Sequence, residues 1–467
     1  MFDPELAEMR FGAGLSPVIA PPADARAMLT RLGGPDAITA QFPIETFAAF
    51  RQRMLDNQAA RRARHVSKGD AVASEAAQKA ERRVKGAARQ AQGQWLGMQV
   101  QRRVHTQDGF RERLVGFWAD HFTAQGKAGL MHRGPSPYIE ESIRPFITGR
   151  FADLVIAATT APLMLHYLDQ EASIGPGSVT AQEMAARGQL KRIGLNENLA
   201  REVLELHTLG LSDSYDQTDV RELAELFTGM TYQAEVGFKF QPKSAEPGPE
   251  TVLGVRYGSD ERAQLADIHA ALTDLATHPA TARHIATKLA VHFTQDVPDP
   301  ALTGALAEVF SATKGDLMAV YATLLDHPAS WDPALRNVKP PFDFMASACR
   351  ALAIAPGLFV PMEEPFIQRQ LRVPLFRMGQ QWERQPGPDG WPEEDAAWIT
   401  PLGLAARLEW AMNAPGDLRA DLPDPRDFVQ HALGSKAPPE VLFAAKAAEN
   451  RREGIGLILA APAFQRR

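Results

Sequence analysis

Between residues 195 and 210, apolar and polar positions recur with helical spacing. At about 100° per residue, Leu195, Leu199, Val203 and Leu206 share one arc, and Asn198, Arg201, Glu202 and Glu205 share the neighbouring one. Gly210 stands where such a helix closes. Proline and glycine punctuation divides much of the remaining chain into further helices. Ala23 to Leu32 lies between Pro21-Pro22 and Gly33-Gly34-Pro35, and Gly109 to Phe122 presents Leu114, Phe117, Trp118 and His121 along one side. Pro137 to Thr148 carries Glu140, Glu141 and Arg144; Phe151 to Thr160 and Pro162 to Leu168 follow. Residues 171 to 194 read as a loop, Gly/Ser-rich at first, and Thr218 is a plausible N-cap for a helix over Asp219 to Thr228. From Met230 to Gly258 the pattern changes. Thr231-Tyr232, Gly237 to Phe240 and Thr251 to Val255 alternate like short strands around a Pro/Gly turn, and helices resume at about residue 261. His278-Pro279, His327-Pro328 and Ala461-Pro462 each predict one helix ending and the next opening on proline. The fold class is mainly α: one multi-helix globular body over 1–467, with a small β-hairpin-like excursion near 230–258.

Composition narrows the class. The chain has 467 residues, 45% hydrophobic and 23% charged, enough for a large core. Length alone suggests about three domains, but the repeated Ala/Leu/Arg/Glu-rich segments favour one continuous helical body. A net charge of −6 argues against a dedicated nucleic-acid binder. The lone Cys349 rules out an internal disulfide and a cysteine-built metal site; set in a helical small-residue stretch, it reads as a core thiol. No basic leader with an apolar stretch opens the chain, and no apolar run approaches the ~20 residues of a membrane span, so a soluble, cytoplasmic protein is expected. Charge is unevenly placed, with 13 lysines and arginines against four acidic residues between Arg51 and Arg103. Within it, residues 61–94 read as a basic helical arm projecting from the body, with Gly69, Gly86 and Gly93 as weak points. An arm for an anionic partner is one reading. A solvated helix or hairpin is favoured, because no aromatics interleave the charges.

Candidate chemistry gathers on two segments. Asp120 and His121 end one helix; Asn196, Glu197, Asn198, Arg201, Glu202, Glu205 and His207 lie on another, with Asp219 just beyond. These groups can donate, accept and titrate, and on rigid helices they are expected to converge on one polar site. In it His121 would carry the proton and Arg201 would hold a carboxylate in a bidentate pair. Arg201 and Glu202, beside the apolar arc, are expected in a buried polar network. No metal set is assigned. A ferritin-like centre needs Glu-x-x-His pairs, whereas Glu202-x-x-Glu205 has no matching His, and His207 lies roughly 160° around the helix from Glu205. A divalent cation held by carboxylates stays open as a cofactor. There is no Gly-x-Ser-x-Gly elbow, and Gly12-Ala13-Gly14 lacks the Lys-Ser/Thr of a phosphate loop. Trp382, Trp391, Trp398 and Trp410, with Pro386 to Pro392, could line a carbohydrate or peptide groove; a proline-rich loop pinned by tryptophans is the favoured reading.

The segment Asn196 to Gly210, followed by Tyr215-Asp216-Gln217-Thr218-Asp219-Val220 and Ala224 to Gly229, resembles the bacterial domain-of-unknown-function family 1800. Supporting motifs run along the chain: Arg10 to Gly14, Phe117 to Phe122, Leu165 to Asp169, His278-Pro279 with Ala282-Arg283, Lys339-Pro340-Pro341, and Ala461 to Arg467. The resemblance implies an architecture rather than a reaction. It also implies a possible partner, a sulfatase-like protein of family 1501. Two positions depart from the family pattern: Ala245 stands where a His commonly precedes Glu-Pro-Gly, and Met230 where a Trp follows Thr-Gly. Two readings of function follow. The first is a scaffold or partner protein with an Asn/Arg/Glu network at its centre. The alternative is a hydrolase with a carboxylate-lined pocket, with or without a bound divalent cation.

Overall fold

A computed structural model describes residues 1–189, 194–260, 262–359 and 364–467. The molecule is mainly helical, and many of its longer helices open on a residue whose side chain caps them. Asp3, Asp24, Thr46, Asp70, Asp108, Asp299, Asp316, Thr400 and Asp424 each accept a hydrogen bond from a first-turn backbone N–H. His278 and His327 do the same through Nδ1, at 3.2 Å to Ala280 N and Ala329 N, with the following proline inside the first turn. That pairing fixes the two His-Pro steps as helix starts, as their spacing predicts.

Two apolar cores form. The first gathers Phe11, Trp118, Phe151, Leu204, Phe227, Leu289 and Tyr321. The second gathers Leu96, Val104, Phe344, Cys349, Trp410, Phe428 and Phe464. Cys349 is a buried thiol, pushed up to about 12 by burial. One helix belongs to both cores: Ala71–His105 gives Trp95 to the first, and Leu96, Val100 and Val104 to the second. At 1.5 Å per residue its 35 residues span about 52 Å, so its outer half stands clear of the body. There it pairs with Phe47–Val66 through a turn at Ser67–Gly69.

The outer part of the basic segment is therefore the tip of a helical hairpin, with Val66 and Val72 at 84% and 80% exposure. The inner end of residues 61–94 does not project: Ala88 and Ala91 pack in the first core and Gln92 donates to Glu383. The helix runs unbroken through Gly86 and Gly93, against the expectation of weak points there. An ion pair from Glu81 to Arg64 (3.0 Å) ties the two legs together, and Lys85, one turn along the same helix, holds the other oxygen of Glu81 at 2.6 Å.

Several boundaries move. The segment expected as one helix from Pro137 to Thr148 is a helix at Pro135–Tyr138, a π turn at Ile139–Ile143 and a 3-10 turn at Arg144–Phe146. Pro145 removes a donor from the ladder, which accounts for the break. The expected 171–194 loop contains a helix, Val179–Ala186, and residues 190–193 lie outside the described residues. The helix assigned to Asp219–Thr228 starts earlier, at Gln217, with Asp216 rather than Thr218 as N-cap. The β excursion is two separate antiparallel hairpins, Met230–Gln233 with Gly237–Phe240 and Glu250–Val252 with Val255–Tyr257. Helices resume at Leu265; residue 261 lies outside the described residues. Met230 and Ala245 are both buried beside the turn at Gly229, where a Cβ would lie 3.2 Å from that of Ala245. No helix among the described residues is long and apolar enough to cross a membrane.

Candidate active site

The Asn196 segment is not one α-helix. It runs as α over Asn198–Glu202 and then as π over Val203–His207, so the 100° bookkeeping fails for its second half. Its charges face outward rather than into a buried network. Arg201 spreads its guanidinium over Glu197 (3.2 Å), Glu205 (3.4 Å) and Gln217 (2.9 Å), so the expected bidentate pair is absent. Arg201, Glu197 and Glu205 are 25–38% exposed, and Gln217 is exposed. Asn196 is spent on anchoring, donating to Leu168 O and Asp169 O and accepting from Asn198 N. Asn198 itself is exposed. Asp219 closes a capping box with Asp216 and accepts from Leu253 N at 2.7 Å, so its carboxylate holds a loop. Glu202 is half-buried, and burial, Glu205 and Asp389 push its carboxyl up.

The structure does bring His121 and His207 together, with ring centroids 6.2 Å apart and His284 6.1 Å from His121. His121 Nε2 faces the His207 carbonyl oxygen at 3.2 Å, and His284 Nε2 faces that of Leu206 at 3.1 Å. Gly210, at φ +75°, makes this packing possible, since a Cβ there would come within 2.8 Å of His284 Nδ1. His121 is fully enclosed by Trp118, Phe122 and Phe151. Burial holds its pKa well below the usual value, and holds that of His207 down at about 3. His121 is thus neutral across the physiological range, which corrects the expectation of a proton carrier poised near neutrality.

Asp120, the neighbouring residue, points elsewhere. Glu112, Gly116 and Asp120 recur every four residues on Gly109–His121 and face a cavity of about 200 Å³ between the two cores. Trp382, Trp391 and Trp398 form part of its wall, and Tyr138 and Phe342 add to it. Trp410, by contrast, donates to Gln370 O inside the second core. Trp398 Nε1 also donates to Pro392 O at 3.0 Å, so the tryptophan-pinned loop and the aromatic-lined pocket are the same feature.

Asp120 is fixed by that loop: Trp391 N–H donates to both of its carboxylate oxygens at 3.0 Å. The approach needs Gly390, where a Cβ would fall 2.6 Å from Asp120 Oδ2. Glu393 follows two residues later. His292 Nδ1 donates to Glu393 Oε1 at 2.8 Å, and Arg113 Nη2 donates to His292 Nε2 at 2.9 Å. Arginine has no acceptor, so this chain fixes the tautomer of a neutral imidazole. Burial and its charged neighbours place His292 at about 4. The two carboxyls are driven apart. Burial, with the charge of Glu393 in second place, pushes Asp120 up to about 8. Burial opposes ionisation of Glu393, yet His292, Arg467 and Lys288 bring it down to about 2.

A buried ion lattice backs the cavity wall. Arg144 grips Glu112 with two bonds of 2.8 and 2.9 Å and reaches Asp36 at 2.9 Å, while Arg102 grips Glu140 at 2.7 and 3.0 Å. Glu112 is held down to about 2 against its own desolvation, chiefly by Arg144.

Sequence reasoning missed Glu393, His292 and Lys288. One signal was available: His284, Lys288 and His292 repeat every four residues on Pro279–Phe293. It also missed the one group of three close metal-type ligands found among the described residues, Glu222, Glu225 and Glu250, whose ligand atoms lie within 4.8 Å of one another. Its members already have partners. Arg221 pairs with Glu225 at 3.1 Å and Thr251 N–H donates to Glu222 at 2.8 Å, while burial and the neighbouring carboxylates push Glu250 up to about 8.

A family model described as Protein of unknown function (DUF1800) matches residues 10–466, nearly the whole chain, and the chain belongs to that family. No curated protein and no solved structure matches it.

Proposed function

We propose that this DUF1800 protein is a hydrolase working by acid–base catalysis in the cavity between its two cores. Asp120 is the proton donor, and Glu393, oriented by His292, is the ionised carboxylate. The observation that carries the reading is the loop 390–393, which seats one carboxyl and supplies the other on the same cavity wall. A neutral acid beside an ionised carboxylate is what bond cleavage with a protonated leaving group requires. The tryptophan faces favour a substrate with flat apolar ring faces and polar edges, so a carbohydrate is the substrate class. The pair needs no cation for this chemistry.

The test is hydrolysis of an oligosaccharide panel, followed by reducing-end release, together with quenching of tryptophan fluorescence on binding. Asp120→Asn and Glu393→Gln should each lower turnover by roughly 10²–10⁴-fold with binding retained. Activity should decline above about pH 8 as Asp120 ionises. Turnover unchanged in both variants would remove the cavity from the chemistry.

The scaffold reading is supported by a different observation. Val373 and Phe376, 42% and 63% exposed, lie on Val373–Arg377, and Leu402 at 82% lies on Pro401–Leu418, which packs beside it. Such an apolar surface suits a protein partner, for which the sulfatase-like family 1501 is the candidate. Phe376→Glu with Leu402→Glu should abolish co-purification with that partner and leave hydrolysis intact.

A further inference from the structure

Behind the cavity wall lies a second, much smaller void of about 10 Å³, between Gly12–Gly14 and the start of Pro341–Ala351. Its lining is unbalanced in charge. Asp343 is the carboxylate there, and three guanidinium groups share it: Arg113 at 3.5 Å, Arg103 at 3.7 Å, and Arg467 in direct contact. Lys339 adds a fourth cation. Its Nζ donates to Ser347 Oγ at 3.2 Å and sits 4.0 Å over the Phe464 ring, with no carboxylate in ion-pair reach among the described residues. The next anions are committed elsewhere, Glu112 to Arg144 and Glu393 to His292.

Donors are also left over. Arg103 Nη1 and Arg467 Nε are buried without a partner, in side chains only 8% and 3% exposed. Buried cations in excess of anions are costly, and a site built this way requires a counter-charge. The room is right for one small species: a void of this size holds about one water-sized particle, and water would satisfy donors without neutralising charge. A sulfate or phosphate is too large. Backbone geometry keeps the space open, because Gly14 sits at φ +94° and a Cβ there would meet Ser347 Cβ at 2.9 Å.

We propose that this void is a binding site for a single small monovalent anion of the chloride class, held between Lys339, Arg103 and Arg467. The mutual repulsion of the cations agrees with it. Burial first, then Arg467, Arg113 and Arg407, bring Lys339 down to about 7 against the pull of Asp343. An anion in the void would restore the ammonium form and free Asp343 from balancing four charges alone.

The experiment compares the full-length protein in sodium chloride, sodium bromide and sodium gluconate at one ionic strength, with crystals soaked in bromide alongside. Halide should raise Tm above its value in gluconate by about 2 °C, rising with the logarithm of concentration once the dissociation constant is passed, and an anomalous bromide peak should appear within hydrogen-bond distance of Lys339 Nζ. Lys339→Met should raise the halide concentration needed for a given rise in Tm by about tenfold, as expected for losing one charge-assisted donor. Equal Tm in all three salts with no bromide peak in the void would overturn the site. So would a halide response that Lys339→Met leaves unchanged. Should that variant not fold, the wild-type salt series and the bromide map decide alone.

Discussion

The outward face of residues 197–205 and the wall of the central cavity are built from the same residue types, arginine and glutamate at helical spacing, yet they behave differently. On the outer face Arg201 divides itself among Glu197, Glu205 and Gln217, all partly in water, and its two carboxylate contacts are long, at 3.2 and 3.4 Å. At the cavity Arg144 is 7% exposed and grips Glu112 with two short bonds. Water screens the first set and contributes most of its solvation, so the pairs there add little. The second set has lost its water, and each charge depends on its partner. Ion pairs read from a sequence say nothing about which regime applies.

The sharpest way to break this comparison is to remove one charge from each region. Arg144→Met should destabilise the protein by about 3–5 kcal/mol in denaturant unfolding, because it strands Glu112 without solvent or partner. If the loss stayed below about 1 kcal/mol, the two regions would not differ in kind. Acid should act on the cavity side next. Glu112 and Glu393 have folded pKa values near 2, below their unfolded values, so the stability they supply is complete above about pH 5 and is lost as pH falls toward 2. Asp120 acts in the opposite sense. Its raised value means that its stabilising contribution is complete below about pH 4 and is lost between about pH 4 and 8, so Asp120→Asn should flatten the stability–pH curve across that window. A wild-type slope between about pH 4 and 8 that Asp120→Asn leaves unchanged would mean that this carboxyl is solvated after all.

On the outer face, Arg201→Ala should cost less than about 1 kcal/mol, with the small effect vanishing in high salt. The least consequential region is the hairpin tip. Limited trypsin should cut first between Arg61 and Lys68, beside the exposed Val66, and leave the melting curve of the body unchanged. Cleavage in the body before the tip would show that the hairpin is packed in solution.

Much of the helical framework was legible because its signals are local. Asp70, Asp108 and Asp299 cap by side-chain reach within three residues, prolines after His278 and His327 set helix starts, and the Gly210 closure is a positive-φ position. Where local signals misled, a neighbour had intervened. Asp216, not Thr218, caps its helix because Asp219 returns the bond, and the π turn at Val203–His207 carries His207 inward to His121 and His284. The candidate site was half legible. Asp120, His121 and His207 were readable as groups of chemical interest, but their division between a cavity and an apolar nest was not, because adjacent residues on a helix point about 100° apart and only packed neighbours say what lies in each direction.

The sequence by itself determined a helical body, a basic helical segment, and the two segments richest in titratable groups, since periodicity, capping and composition are properties of nearby residues. Only the tertiary structure decided which charges lose their water. Asp120 meets Glu393 across 272 intervening positions, and Lys339 shares its void with Arg103 across 235. The fields that hold Asp120 neutral and Glu393 ionised arise from burial and from partners that no local pattern encodes.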